Sequence, residues 1–364
     1  MTTRSKFILG IVILFLLALA ACNQAATPLP LPNLTAGEWS EFDGDTGTVC
    51  ASGSDYKYFV NKGTVNKLVI DFQGGGACFN DATCLASYQA VGEENALYAD
   101  TIATTTADLN AGLYNHSNSA NPVKDWYHVH IPYCTGDLHM GNNTKEYVNP
   151  QNQVTYTIEH KGAVNAKSVL DWTFDTFTNP DEVFITGCSA GAYGATFWTE
   201  TIKANYPDTQ VYQLGDCGVG ASTDGFGALV QANWNVNKPL NAEFVNTTYI
   251  NTANKYKTNL SMAQYHTLFD NTQVKFYALI TGQLDPDNAQ QVAVQWSGIM
   301  QDSIAKIESQ TSNFSSYLAQ GSQHCIIPSN ELYNKTENGI KLVDWLTDYL
   351  SGKSVADIKP AAIP

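Results

Sequence analysis

Residues Glu182–Trp198, EVFITGCSAGAYGATFW, set a serine between two glycines where one local pattern gives way to another. Glu182–Gly187 is a short β-branched and aromatic run of the kind that forms a buried strand. Gly194–Tyr206, GATFWTETIKANY, has the length and polar–apolar mix of a helix. Gly187-Cys188-Ser189-Ala190-Gly191 therefore fits G-x-S-x-G between a strand and a helix. Small neighbours permit the tight turn that lifts a serine hydroxyl above a sheet edge, and a helix N-terminus behind it favours developing negative charge. In this setting Ser189 is a candidate nucleophile rather than a small turn residue.

The same alternation runs outward along the chain. Lys67–Phe72 (KLVIDF), Trp126–Tyr133 (WYHVHIPY), Gln210–Gly215 (QVYQLG) and Val274–Gly282 (VKFYALITG) read as further strands. Asn165–Phe177 and Asn338–Gly352 read as helices, the latter near the end of the chain. Strands alternating with helices predict an α/β fold, α/β-hydrolase-like, with a mostly parallel central sheet covered on both faces. Gly218–Asn271, rich in Asn, Thr and aromatics, breaks the alternation and reads as a cap-like insertion of about 218–271.

A nucleophilic serine needs oxyanion donors, a base and an acid. After KLVIDF comes QGGGACFN, Gln73–Asn80, whose consecutive glycines let backbone N–H groups approach a substrate oxygen. Gly74, Gly75 and Ala190, the residue after the serine, are the candidate donors. The order Ser, Asp/Glu, His leaves His266 and His324 downstream. His324 lies in a loop before the last helix, where the order places a base, and His266 reads as structural. The acid should follow the strand expected at Val274–Gly282, which offers Asp285 and Asp287.

Composition sets limits. The 364 residues are 44% hydrophobic and 15% charged, enough for a large core. A net charge of -15 argues against a nucleic-acid partner, since phosphate binding requires a basic patch. Arg4 and Lys6 precede an apolar run from Phe7 to Ala21, the layout of a secretory leader over residues 1–21. Leu19-Ala20-Ala21-Cys22 resembles a bacterial lipobox, which implies lipidation at Cys22, a tether over 22–38 and an exported, membrane-anchored domain over 39–364 at the cell envelope, periplasmic or on the cell surface. The seven other cysteines lack the paired spacing of a zinc site, so disulfides are expected in an oxidising compartment, and an odd count leaves one thiol free.

GGGACFNDATC, HIPYCTGDLHMG, GCSAGAYGA, LGDCG and the HC of His324-Cys325 together resemble the pectin acetylesterase and Notum family of serine esterases. The likeness runs from about Thr48 to the chain end and is weakest over Gly218–Asn271. It implies a carboxyl-ester hydrolase with Ser189 as nucleophile, His324 as base, and Gly74, Gly75 and Ala190 as oxyanion donors. The family's D-x-x-Q pattern is satisfied by Asp287-Asn288-Ala289-Gln290, which favours Asp287 over Asp285 as the acid. The resemblance pairs Cys50 with Cys134. Cys78 and Cys84 flank a five-residue loop just after the glycines, so a bridge there would hold the oxyanion donors. Of the remaining three, Cys188 sits inside the elbow, where a bridge would compete with the turn. The expectation is therefore Cys217 with Cys325, and Cys188 free.

Other residues have a plainer reading. His128 and His130 share one strand face, but no cluster of carboxylates or thiols completes a metal site, so neither metal nor organic cofactor is expected. Asp137 and His139, in the loop after that strand, are candidates to line the pocket, as are Trp234 and Tyr265 if they stack on a sugar. The expected partners are an acylated glycan or other small-acyl ester and a membrane reached through the lipid anchor, with the domain acting as a monomer. Two other functions fit the same scaffold: a silent glycan- or lipid-binding lipoprotein, and a carboxylesterase of longer acyl chains.

Overall fold

The computed structural model describes residues 29–88, 97–149 and 151–360. The leader over 1–21 and Cys22 lie outside the described residues. In chain order the elements are β1 (Trp39–Asp43), β2 (Lys57–Asn61), β3 (Lys67–Phe72), α1 (Asp81–Tyr88), β4 (Tyr127–Ile131), β5 (Asn143–Val148), β6 (Thr155–His160) and α2 (Gly162–Thr176). They continue with β7 (Glu182–Cys188), α3 (Ala190–Asn205), β8 (Gln210–Asp216), α4 (Asp224–Trp234), α5 (Phe244–Lys255) and β9 (Leu260–Thr267). The chain closes with α6 (Asn271–Thr281), α7 (Ala289–Gln310), β10 (Phe314–Ala319), β11 (Thr336–Glu337), β12 (Ile340–Lys341) and α8 (Leu342–Leu350).

Eight strands form one sheet in the order β1-β2-β4-β3-β7-β8-β9-β10. β1–β2 and β2–β4 pair antiparallel, and every pair from β4 to β10 is parallel. The central strands read as nearly continuous apolar runs because helices cover both faces: all of β3, β7 and β8 is buried apart from the first residue of each. One core packs Leu68, Ile70, Val183 and Ile185 against Val169, Leu170 and Ile202 of α2 and α3. Phe184, Leu214 and Tyr317 on the other face meet Trp345 and Leu346 of α8. The end of α3 is held by a buried lysine: Lys203 Nζ donates to the carbonyls of Tyr206, Pro207 and Thr209 at 2.9–3.0 Å, which satisfies the charge of a side chain rarely found inside.

Three expectations are corrected. Val274–Gly282 belongs to helix α6 and the turn after it, and the strand of that region is β9, inside the segment read as a cap. Phe276, Leu279 and Ile280 stand three and four apart, which is helical spacing, and Asp270 ahead of them is an N-cap residue, so a helix satisfies both signals where a strand satisfies neither. The cap accordingly shrinks: α5 sends Val245 and Tyr249 into the main core, and only the stretch around α4 overlies the sheet edge. Residues 29–38, the described part of the expected tether, lie along the domain, with Pro30 accepting from Tyr127 Oη at 2.7 Å and Lys62 Nζ bound to the carbonyls of Pro32 and Leu34.

Candidate active site

The junction of β7 and α3 forms a strained turn. Ser189 has φ 55° and ψ -121°, a conformation unfavourable for a residue with a Cβ, and its N–H donates to Asp216 O at 2.8 Å. The two glycines of the motif are needed for close approach. A Cβ on Gly187 would run into the carbonyl of Gly191, and one on Gly191 into that of Phe72. Gly74 is equally constrained, since its Cβ would meet Cys188 O at 2.6 Å. The glycine loop after β3 is thereby laid directly against the elbow.

That loop is anchored at both ends. Gln73 accepts from Tyr133 N at 3.0 Å and donates to Thr104 Oγ1 at 2.9 Å, while Cys78 is bridged to Cys84 with a Cα separation of 4.7 Å. Gly74 and Gly75 border the same cavity as Ser189 and His324. Ala190 opens α3, so its N–H is one of the donors that a helix leaves without a partner in the helix.

Across this cavity His324 presents its ring to a buried carboxylate. Its Nδ1 lies 2.8 Å from Oδ2 and 2.9 Å from Oδ1 of Asp270, which has no exposed surface. Asp270 follows β9 and also caps α6, accepting from the N–H groups of Thr272 and Gln273 at 3.0 and 2.9 Å. Asp287 and Asp285 do not reach His324. Both are exposed in the turn after α6, where Asp285 accepts from the N–H of Asp287. The strand that leads to the carboxylate on His324 is β9 rather than one at Val274–Gly282. The signal was present in the Asp270-Asn271-Thr272 cap.

Asp216, which lies in the LGDCG motif but was given no role there, ends β8 and is fully buried. Its Oδ2 accepts the N–H groups of Ile326 and Ile327 at 2.7 and 2.8 Å, two residues just past His324. Burial pushes its carboxyl up to about 6, against the pull of those donors and of His324. Four adjacent parallel strands, β7, β8, β9 and β10, thus lead at their C-terminal ends to Ser189, Asp216, Asp270 and His324 in turn, the edge at which open α/β sheets bind ligands.

The bridges Cys50–Cys134 and Cys78–Cys84 form as expected, with Cα separations of 5.1 and 4.7 Å. The third pairing is corrected. Cys188 bonds Cys325, with Cα atoms 5.6 Å apart, and the buried Cys217 is the free thiol among the described residues. Cys188 is the last residue of β7, so its side chain leaves the strand before the turn begins and the bridge does not compete with the elbow. Cys217 instead receives the N–H of Cys325 at 3.4 Å, and burial together with the charges of Asp216 and Asp270 pushes its thiol pKa upward. The structure thus carries three disulfides, the pattern of an exported protein.

Among the other pocket candidates, Asp137, His139 and Tyr265 are placed differently from the expectation. Asp137 is buried, accepting from Thr135 Oγ1 and Gly162 N at 2.7 Å, and His139 turns its Nε2 to Gln73 O at 2.9 Å. Their neighbours Leu138 and Met140 face the cavity instead. Tyr265 is wholly inside β9 and cannot stack on a sugar. Trp234 reaches the cavity wall but is buried, with its Nε1 donating to Cys78 O at 2.9 Å. His266 is buried against Gln264 Oε1 at 2.7 Å, His130 pairs with Asp71 at 2.5 Å and His128 with His116 at 3.2 Å.

Ser189 borders two cavities, both with mainly apolar walls. One, of about 100 Å³, runs under α4 and is walled by Phe79, Tyr193, Phe226, Trp234, Phe276 and Ile280. The other, of about 740 Å³, lies on the His324 side and carries Gln73, Asp100, Thr101, Thr272 and Lys275.

The model of the pectinacetylesterase family matches residues 40–226 of this chain, which include the glycine loop and the elbow. Pectin acetylesterases 7 and 11 of Arabidopsis thaliana are 29% and 28% identical over 169 and 168 residues, each match covering 45% of this chain and 40% of the relative. Palmitoleoyl-protein carboxylesterase NOTUM of Schmidtea mediterranea is 27% identical over 169 residues, 45% of this chain and 30% of that one. The chain therefore spans two fifths or less of the length of these curated relatives in the matched region. The Wnt deacylase Notum from Drosophila superposes with a TM-score of 0.62 at 17% identity, covering 89% of this chain and 97% of the other, a likeness of fold.

Proposed function

Since the chain belongs to the pectinacetylesterase family, we propose that it is a serine carboxyl-ester hydrolase using Ser189, His324 and Asp270. The observation that carries this reading is the buried Asp270 carboxylate on Nδ1 of His324, at the cavity that the strained Ser189 also borders. Ser189 Oγ attacks the ester carbonyl while Nε2 of His324 takes its proton and returns it to the leaving alcohol. Asp270 holds the ring in the tautomer that leaves Nε2 free to accept and stabilises the imidazolium that follows. The N–H groups of Gly74, Gly75 and Ala190 receive the oxyanion. Water then enters by the same base and releases the acid.

The two cavities support a division of the substrate. The narrow one under α4 takes the acyl group, and the larger one, whose wall also holds Asp100 and Lys275, takes the alcohol. Six large apolar or aromatic side chains around the first favour an acyl chain longer than acetyl, because a two-carbon group would leave most of that wall facing water. The test is a series of p-nitrophenyl esters from two to twelve carbons. The reading expects kcat/KM to rise beyond acetate, and a maximum at acetate would return the enzyme to the acetylesterase reading. The leader and Cys22 support export with a lipid anchor, which requires the wild-type protein, and not Cys22→Ser, to mature with a lipid-modified N-terminus.

A further inference from the structure

We propose that Asp216 is a positioning residue that locks the loop carrying His324 to the elbow carrying Ser189, an inference that rests on the esterase reading. In the sheet, β7 and β10 are separated by β8 and β9, so the nucleophile and the base come from strands that do not touch. Asp216 spans that gap from the end of β8. Its backbone carbonyl takes the N–H of Ser189 at 2.8 Å, and its carboxylate takes the N–H groups of Ile326 and Ile327 at 2.7 and 2.8 Å. One residue is thereby bonded to the nucleophile through its main chain and to the base loop through its side chain. The Cys188–Cys325 bridge joins the same two segments, but at the residue before the serine and the residue after the histidine, and leaves the backbone beyond Cys325 to Asp216.

The carboxylate also contributes charge. The titratable groups that face it are Cys217 beside it in the chain, His324 from the loop after β10, Tyr114 from the turn at Gly112–Tyr114 and Tyr265 from β9. Of these His324 is the one that becomes cationic during turnover. An anion there favours the positive charge that the ring takes up as it accepts the serine proton.

The experiment compares Asp216→Ala and Asp216→Asn. Loss of the Oδ2 acceptor in Asp216→Ala should lower kcat by about 10²-fold with KM changed by less than about threefold, since the base is misplaced rather than the substrate site. Asn keeps an oxygen for the two N–H groups, so Asp216→Asn should recover at least about tenfold of that loss. Wild-type kcat in Asp216→Ala, or an Asn variant no better than Ala, would overturn the proposal. Should Asp216→Ala fail to fold, amide hydrogen exchange in the wild-type protein decides: N–H groups of Ile326 and Ile327 protected as strongly as those inside β8 uphold the proposal, and exchange at the rate of an open loop contradicts it. That measurement needs no turnover, so it still tests the hold of Asp216 on the His324 loop if the wild-type protein hydrolyses no ester, the outcome that would defeat the esterase reading itself.

Discussion

The carboxylate of Asp270 lies against Nδ1 of His324, 54 residues further along the chain, while its Oδ1 also accepts two N–H groups at the start of α6. One side chain therefore orients a base and caps a helix. Asn preserves the cap, so Asp270→Asn should leave Tm nearly unchanged yet cut kcat by about 10³–10⁴-fold through the wrong imidazole tautomer. Asp285→Ala and Asp287→Ala should stay within about twofold of wild type. Steady-state kinetics on the three variants check this, and a collapse in Asp287→Ala with activity intact in Asp270→Asn would reverse the assignment.

The bridge between Cys188 and Cys325 predicts a defined map under non-reducing conditions. Peptides containing these two cysteines should be linked, and the Cys217 peptide should carry alkylation only after denaturation, because its thiol is buried. The double variant Cys188→Ala/Cys325→Ala should lose about 2–5 kcal/mol of stability in denaturant titration. A Cys217–Cys325 peptide in the native protein would contradict the pairing.

Acid should weaken the fold. Burial drives the imidazoles of His139, His160 and His266 down to about 4, so the unfolded chain takes up their protons near the ordinary value of about 6.5 while the native state resists until about 4. Their contribution is level above that range and is lost as pH falls through it. Burial pushes the carboxyls of Asp137 and Asp216 up to about 6, so the native state protonates them first and gains below that pH. Burial also drives His116 and His128 down and pushes Asp100 and Asp357 up, so five imidazoles stand against four carboxyls and the balance favours proton uptake by the unfolded chain, with stability falling as pH drops between roughly 6 and 4. Urea midpoints measured from pH 7 to 4 test it. A stability that rises on acidification would show that the carboxyls dominate.

Filling the apolar cavity should shorten the preferred acyl chain. Ile280 lines it from α6 and is only partly buried, so Ile280→Trp can add bulk with little strain. We expect kcat/KM for the longest active ester to fall about tenfold or more with the shortest ester little changed. An even loss across the series would remove the acyl group from this cavity.

What the sequence made legible, and what it hid, has a physical pattern. Strands β3, β4, β7 and β8 and the elbow were readable because buried parallel strands are continuous apolar runs and because G-x-S-x-G in that context has few other uses. β9 was hidden because LSMAQYHT carries Gln264 and His266 inward, where they bond each other, so its polar residues imitate a surface segment. Missing β9 left Asp270 unread as the carboxylate that meets His324. Asp216 was visible within LGDCG, but its partners were not, since they are backbone N–H groups more than a hundred residues away. The free thiol was misassigned because the strand direction at Cys188, not the tightness of the turn after it, decides where its sulfur points.

The central claim is that Ser189 is an activated nucleophile. Mass spectrometry after reaction with a fluorophosphonate probe tests it most directly. The account predicts one adduct, on the peptide containing Ser189, absent in Ser189→Ala and slowed in Asp270→Asn. A folded wild-type protein that takes up no label, or takes it at another residue, would contradict it.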